Sequence, residues 1–204
     1  MVIKDLLKFW CLGILCITVH LGCHIHHFEP NNFLNREGLI NVQSVAVLPF
    51  YNMSKSESAG VIVTNMIMAE LVRSGKFQVV KYGDVRNFFL NRRMISVPAI
   101  DIDTLRALRQ EFRVDMVIIG TIYRYENSDE SGDRNRDKKT LVPSVAVSSS
   151  ILDTRSGRIL GKCEFLERGS ATGYLLTNKR RQDTFALAQK LAQKFIATID
   201  ANGV

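Results

Sequence analysis

Histidine is missing from most of this chain. The 204 residues contain His20, His24, His26 and His27 and no others. From Phe28 onward the commonest general base is absent, which excludes a Ser-His-Asp or Cys-His site there. Cysteine is equally sparse: Cys11, Cys16 and Cys23 lie in or beside an apolar leader, and Cys163 is the only other one. The rest of the chain therefore has one thiol and no internal disulfide. The sequence has no G-x-x-x-x-G-K-[ST] loop and no G-x-G-x-x-G after its first strand, so the two common phosphate-cradling glycine patterns are lacking. It also has no internal repeat and no low-complexity tract.

What is present suits one folded domain with a leader. Hydrophobic residues make up 46%, enough for a core, and charged residues 23%. Lys and Arg number 27 against 20 Asp and Glu, a net charge of +7. That balance aids solubility and also favours anionic partners. Lys4 and Lys8 precede an apolar run from Phe9 to Val19. The run has signal-peptide length and is short of the ~20 residues that a membrane span needs. His20-Leu21-Gly22-Cys23 follows. A Gly-Cys pair after an apolar run resembles the lipobox of bacterial lipoproteins, although His20 and Leu21 stand where Leu and a small residue are usual. The resemblance implies a signal peptide over 1–22, acylation of Cys23, a lipidated tether over 23–43 and a domain over 44–204. Phe28, Phe33 and Leu34 are apolar enough to dock part of the tether onto the domain.

Ser44 to Phe50 (SVAVLPF) is apolar on both faces and predicts an interior strand. Tyr51 to Ser58 reads as a polar loop, with Ser54, Ser56 or Ser58 as the cap of a helix over Ala59 to Ser74. Gly75 ends that helix, and Phe77 to Lys81 is a second strand expected to lie parallel to the first. Helices follow from Gly83 to Arg92 and from Thr104 to Phe112, the latter with Asp103 as its expected cap. Val114 to Tyr125, Leu141 to Leu152 and Arg158 to Glu167 read as strands. Asp153-Thr154-Arg155-Ser156-Gly157 is the hairpin turn between the last two. Asp183 to Ile199 carries an apolar stripe and closes the chain as a helix. The fold class is therefore α/β, with helices flanking a mixed sheet of about five strands in the order β-α-β-α-α-β-β-β-α.

Three pieces carry a resemblance: Val45-Ala46-Val47-Leu48-Pro49-Phe50-Tyr51-Asn52-Met53-Ser54, Asp115 to Thr121 (DMVIIGT) and Leu152 to Leu160 (LDTRSGRIL). Their order resembles a bacterial envelope superfamily that includes the curli-secretion lipoprotein CsgG, the amino-terminal domain of TolB and the penicillin-binding-protein activator LpoB. The resemblance implies a lipid-anchored, non-enzymatic protein on the periplasmic face of the outer membrane. Such a protein assists envelope or surface-appendage assembly through protein contacts. The alternative is a CsgG-like homo-oligomeric secretion component. Against a pore stands the insertion Asn127 to Lys139, which is charged throughout, whereas a spanning strand needs ~9–11 residues alternating apolar and polar. Against an LpoB-like reach stands the shortness of the segment 24–43.

The candidate sites follow from these readings. Cys23 is the lipidation site. Tyr51, Asn52 and Ser54 form the candidate protein-docking loop. Arg92, Arg93, Lys179, Arg180 and Arg181 are candidate contacts for anionic lipid or peptidoglycan. His24, His26 and His27 are dense enough to ligate a metal, which would make a metal-dependent enzyme the third reading, but a solvated tether explains them as well. The glycine-rich Gly169 to Gly173 reads as a connection between strand and helix. No cofactor is expected. Nucleic acid is not expected either, because the basic stretches lack interleaved aromatics and a secretion signal precedes them.

Overall fold

The computed structural model describes residues 32–93, 99–126, 142–169 and 183–201. The elements run β1 (Phe33–Leu34), α1 (Arg36–Leu39), β2 (Ser44–Val47), β3 (Tyr51–Asn52), α2 (Ala59–Ser74), β4 (Gln78–Val79), α3 (Tyr82–Asn91), α4 (Ile102–Phe112), β5 (Met116–Glu126), β6 (Ser144–Asp153), β7 (Ile159–Arg168) and α5 (Thr184–Ala201). All strands join one mixed sheet in the order β1-β7-β6-β5-β2-β4, with β3 also paired to β5. β2 lies parallel to both β4 and β5, and β3 is parallel to β5. β5, β6, β7 and β1 are successively antiparallel. The sheet has seven strands rather than about five because β1 and β3 are two residues each, too short to leave an alternating pattern.

Alternation along β2 splits the interior into two cores. Val45 and Val47 face one side, where Ile67 and Leu71 of α2 and Leu191 and Phe195 of α5 pack over β5, β6 and β7. Ala46 and Leu48 face the other, where Val85 and Phe88 of α3 and Leu105 and Leu108 of α4 pack over Val117 and Leu152. This is why the first strand is apolar on both faces. No described helix is long and apolar enough to cross a membrane.

Several expected boundaries shift for local reasons. The interior strand stops at Val47 rather than Phe50, and Tyr51 and Asn52 are not loop but β3, opposite Thr121 and Ile122. Pro49 has no N–H to give the ladder. Leu48 N–H bonds Ile118 C=O at 2.9 Å before it, and Met53 N–H bonds Ile122 C=O at 2.9 Å after it. Ser58 is the N-cap of α2 but makes no side-chain cap bond. The cap of α4 is Asp101, not Asp103: its Oδ1 accepts from Thr104 N–H at 2.7 Å and its Oδ2 from Thr104 Oγ1 at 3.0 Å. Those bonds hold the Asp101 carboxyl below the usual carboxylate range. Finally, residues 32–43 belong to the domain rather than to a tether. β1 pairs with β7, Asn35 caps α1, and Leu39 and Val42 are buried in the first core.

The three resembling pieces meet in space. The Phe50 ring lies on Gly120, where an added Cβ would come within 2.0 Å of Phe50 Cε1. Phe50 N–H donates to Thr64 Oγ1 at 3.1 Å, which fixes the strand end to α2. Thr154 Oγ donates to the carbonyls of Val114 at 2.6 Å and Asp115 at 2.9 Å, so the hairpin turn is tied to the start of β5.

Candidate functional site

The most connected polar group among the described residues is Asp115, where β5 begins. Its Oδ2 accepts from Gln43 N–H and Ser44 N–H at 3.1 Å each and from Ser44 Oγ at 3.0 Å. Arg109 Nη1 approaches its Oδ1 at 3.4 Å and also donates to Thr154 Oγ at 3.3 Å. Partial burial raises the Asp115 pKa, but the bonds from Gln43, Ser44 and Arg109 together outweigh it and hold the carboxyl low. With its acceptor capacity spent on the start of β2 and on α4, this carboxylate is a clamp for the sheet. The hydroxyls beside it, Ser44 Oγ and Thr154 Oγ, are themselves bonded to the backbone carbonyls of Arg113 and Val114.

The loop after β3 is organised around Asn52. Its side-chain nitrogen donates to Ser56 C=O at 2.7 Å, and its oxygen accepts from Ser54 N–H at 3.0 Å and Ser54 Oγ at 2.7 Å. Tyr51 is half-buried in β3. Of the three expected docking residues, Asn52 and Ser54 thus spend their polar groups on holding the turn. What the loop offers outward is Met53, 60% exposed, next to Lys55 and Glu57. Val61 is likewise exposed in the first turn of α2.

The two faces of the antiparallel half of the sheet differ. Toward α2 and α5, the side chains of Ile118, Ile122, Val145, Val147, Ile151 and Cys163 are buried. On the opposite face, cross-strand rows run Ile119–Ser150–Lys162, Thr121–Ser148–Glu164 and Arg124–Ala146–Leu166. None of these is fully buried, and Tyr123, at the β-bulge beside them, is 57% exposed. The second core ends at Ile119, and no described helix extends over the Ser148 row. The floor of this face is Ala146, Ser148 and Ser150, small side chains between Tyr123 and Arg124 on one flank and Lys162 and Glu164 on the other. Lys162 and Glu164 pair at 2.9 Å, which raises the Lys162 pKa. A flat, small-residue face rimmed by paired charges and an aromatic residue suits a protein partner. The sequence signal for it was the run Ser148-Ser149-Ser150 in a strand otherwise rich in apolar residues.

The remaining expected residues divide. Arg92 stacks over the Phe88 ring with its guanidinium carbon 3.6 Å from the ring centroid, and it lies 3.7 Å from Glu111. It is exposed at the C-cap of α3 and packs on that helix at the same time. Arg93 is exposed, with a left-handed φ of 58°. Cys23, His24, His26, His27, Lys179, Arg180 and Arg181 lie outside the described residues, as does the insertion Asn127 to Lys139. Cys163 is buried in β7, and burial pushes its thiol up to about 11. A thiol so protonated is a poor nucleophile and metal ligand. Among the described residues, no group of His, Cys, Asp and Glu is arranged to hold a metal ion.

A sequence model of the family described as "Curli production assembly/transport component CsgG" matches residues 40–165, more than half of the chain. Comparison with curated proteins finds no match. Among solved structures, the fold is similar to the PelC dodecamer from Paraburkholderia phytofirmans. Sequence identity is 15%, the match covers 86% of this chain and 98% of that one, and the TM-score is 0.58. It is also similar to lipoprotein GNA1162 from Neisseria meningitidis, at 20% identity over 77% of this chain and 96% of that one, with a TM-score of 0.50. At such identities the likeness is one of fold.

Proposed function

We propose, from the premise that this chain belongs to the CsgG family, that it is a lipid-anchored, periplasm-facing component of envelope or appendage assembly that acts through protein contacts. Acylated Cys23 holds it to the membrane, and two or more chains suffice for stable anchoring. The observation that carries the reading is the half-covered sheet. Among the described residues, α3 and α4 cover this other face only as far as Ile119, and no helix lies over Thr121, Ser148 and Tyr123. The low-pKa carboxylates are engaged in clamps, and the lone described thiol is buried and protonated, so we read the chain as a non-enzyme. Two experiments test this. Cys23→Ser is expected to leave the protein unlipidated, read as loss of labelling by a radioactive fatty acid, and undiminished labelling of that variant would sink the anchor. Crosslinking from Tyr123 in the native envelope is expected to capture a defined envelope protein.

A second reading is a ring-forming secretion component. It is favoured by the family itself and by the PelC fold match, since that relative is a dodecamer. Mass measurement of the detergent-extracted full chain separates the two: a monomer or dimer rules out the ring, and a large symmetric assembly selects it.

A further inference from the structure

α2 is apolar over more of its girth than the first core uses. Ala59, Val63, Ile67 and Leu71 face that core. Its two buried polar residues are satisfied within the domain: Thr64 Oγ1 donates to Gly60 C=O at 2.7 Å, and Glu70 pairs with Arg73 at 2.6 Å. Between positions 61 and 72 the exposed residues of the helix are Val61, Asn65, Ala69 and Val72. Spacings of four, four and three put them on one stripe. Val61 is 53% exposed and Val72 63%, with half-buried Met68 between them on the same side. Asn65 is the only polar side chain of the stripe, which carries no charge. Charges stand at its ends: exposed Glu57 lies eight residues before Asn65 and exposed Arg73 eight residues after it. A helix that is apolar on its outer side as well as its core side is built to be covered on both.

We propose that the outer face of α2 packs against α2 of a second copy of this chain, antiparallel about a two-fold axis at Asn65. The stripe matches its own reverse, which an isologous contact requires. The axis sets Asn65 against Asn65 and Val61 against Ala69, so a large side chain meets a small one. It also brings Glu57 to the level of Arg73 on the second copy. That order joins opposite charges at both ends, whereas a parallel pair would bring Arg73 to Arg73 and Glu57 to Glu57. An Asn amide both donates and accepts, so the two Asn65 side chains bond each other across the axis. A lone Asn in an apolar helix seam fixes register in this way. α2 lies on the closed side of the sheet, so the pair leaves Tyr123 and Ser148 outward on the far side of each copy. The pairing stands apart from the function proposed above, since neither Cys23 nor the Ser148 face enters it.

The test is disulfide trapping in the full-length chain, in intact cells under a mild oxidant. For helix axes ~10 Å apart and Cα atoms ~2.3 Å from each axis, facing residues have Cα atoms ~5 Å apart. That is inside the ~4.4–6.8 Å that a disulfide accepts. Asn65→Cys is expected to link two copies, seen at dimer mobility on a non-reducing gel. Val61→Cys together with Ala69→Cys is expected to do the same while keeping Asn65. Val61→Cys alone is expected to give less than about a tenth of that yield, because eight residues of helix set the two copies of position 61 ~12 Å apart. Gln193→Cys, exposed on α5, is expected to give as little. All four variants keep the chain's own cysteines, so differences among them read the new sites. Val61→Cys alone linking as well as the Val61→Cys and Ala69→Cys pair would overturn the antiparallel register. Yields from Asn65→Cys and from the pair that stay at the Gln193→Cys level would overturn the contact. A disulfide from Asn65→Cys to a different protein would give the face to another partner and overturn the proposal as well.

Discussion

The two faces of the β5–β6–β7 sheet are made from the same strands, yet they serve different ends. One is closed by α2 and α5 and holds Ile118, Val147, Cys163 and Phe165 against Phe195 and Leu191. The other carries Thr121, Ser148 and Glu164 in a cross-strand row that no described helix covers. Burying a large apolar side chain is worth about 1.5–3 kcal/mol, so the closed face supplies folding energy. At the end that α3 and α4 cover, this second face also holds a core around Val117 and Leu152, so only its Thr121–Ser148–Glu164 end contributes little to folding. The lesson is that the pleat sends alternate residues of one strand to different surroundings, a closed core on one side and a partly covered face on the other.

Substitutions can break or sharpen that contrast. The largest expected effect is Phe195→Ala on the closed face, which should cost about 3–5 kcal/mol of stability in urea titrations. A loss below about 1 kcal/mol would mean that this face is not the main core. Gly120→Ala comes next, at about 1–3 kcal/mol, because the new methyl must displace the Phe50 ring that rests there. Asp115→Ala should cost about 1–3 kcal/mol by leaving the Gln43 and Ser44 N–H groups short of their acceptor.

The Glu167 contact tests the closed side through pH. Burial raises its pKa, but Lys194 and Lys190, the latter at 2.9 Å, outweigh that and hold it low. With a folded pKa below the unfolded value of about 4.3, its contribution is fully present above that value. It is lost as pH falls through the folded pKa. Melting curves of Glu167→Gln should therefore lie below those of the parent near neutrality and converge with them in acid. A constant gap across that range would contradict the pairing. The smallest expected effect on folding is Ser148→Arg on the open face, within about 0.5 kcal/mol. The same change should abolish partner crosslinking from Tyr123, and unchanged crosslinking would remove this face from the proposed function.

Much of the fold could be read before any coordinates. The span Ala59–Ser74 is a helix because its apolar length is bounded by serines and by Gly75, whose φ of 67° favours glycine. The turn Asp153 to Gly157 is where Asp, Ser and Gly demand it, and Ser156 N–H donates to Asp153 Oδ2 at 2.9 Å. The candidate surface was less legible. Asn52 and Ser54 looked like free polar groups because a sequence does not show that one side chain accepts from the other. Arg92 is an exposed cation, and the sequence did not show that Phe88, four residues earlier, offers it a ring. Asp103 and Asp101 are equivalent cap candidates by type, and only the position of Thr104 N–H chooses between them.

The sequence by itself determined the layering. Apolar residues on both faces of Ser44 to Val47 require cover on both sides, and helical stripes such as Leu187 to Ile199 supply it. Local periodicity is enough for this, because it states which faces must leave water. Tertiary structure alone decided how far the described helices extend over the second face. Whether Ser148 lies under a helix depends on where α3 and α4 come to rest, and they rest over Ala46, Leu48, Val117 and Leu152 instead. It also decided that Asp115 and Thr154 are clamps, since their partners Ser44 and Val114 are 71 and 40 residues away. Contacts at such separations are set by how the whole sheet closes, and no local pattern records them.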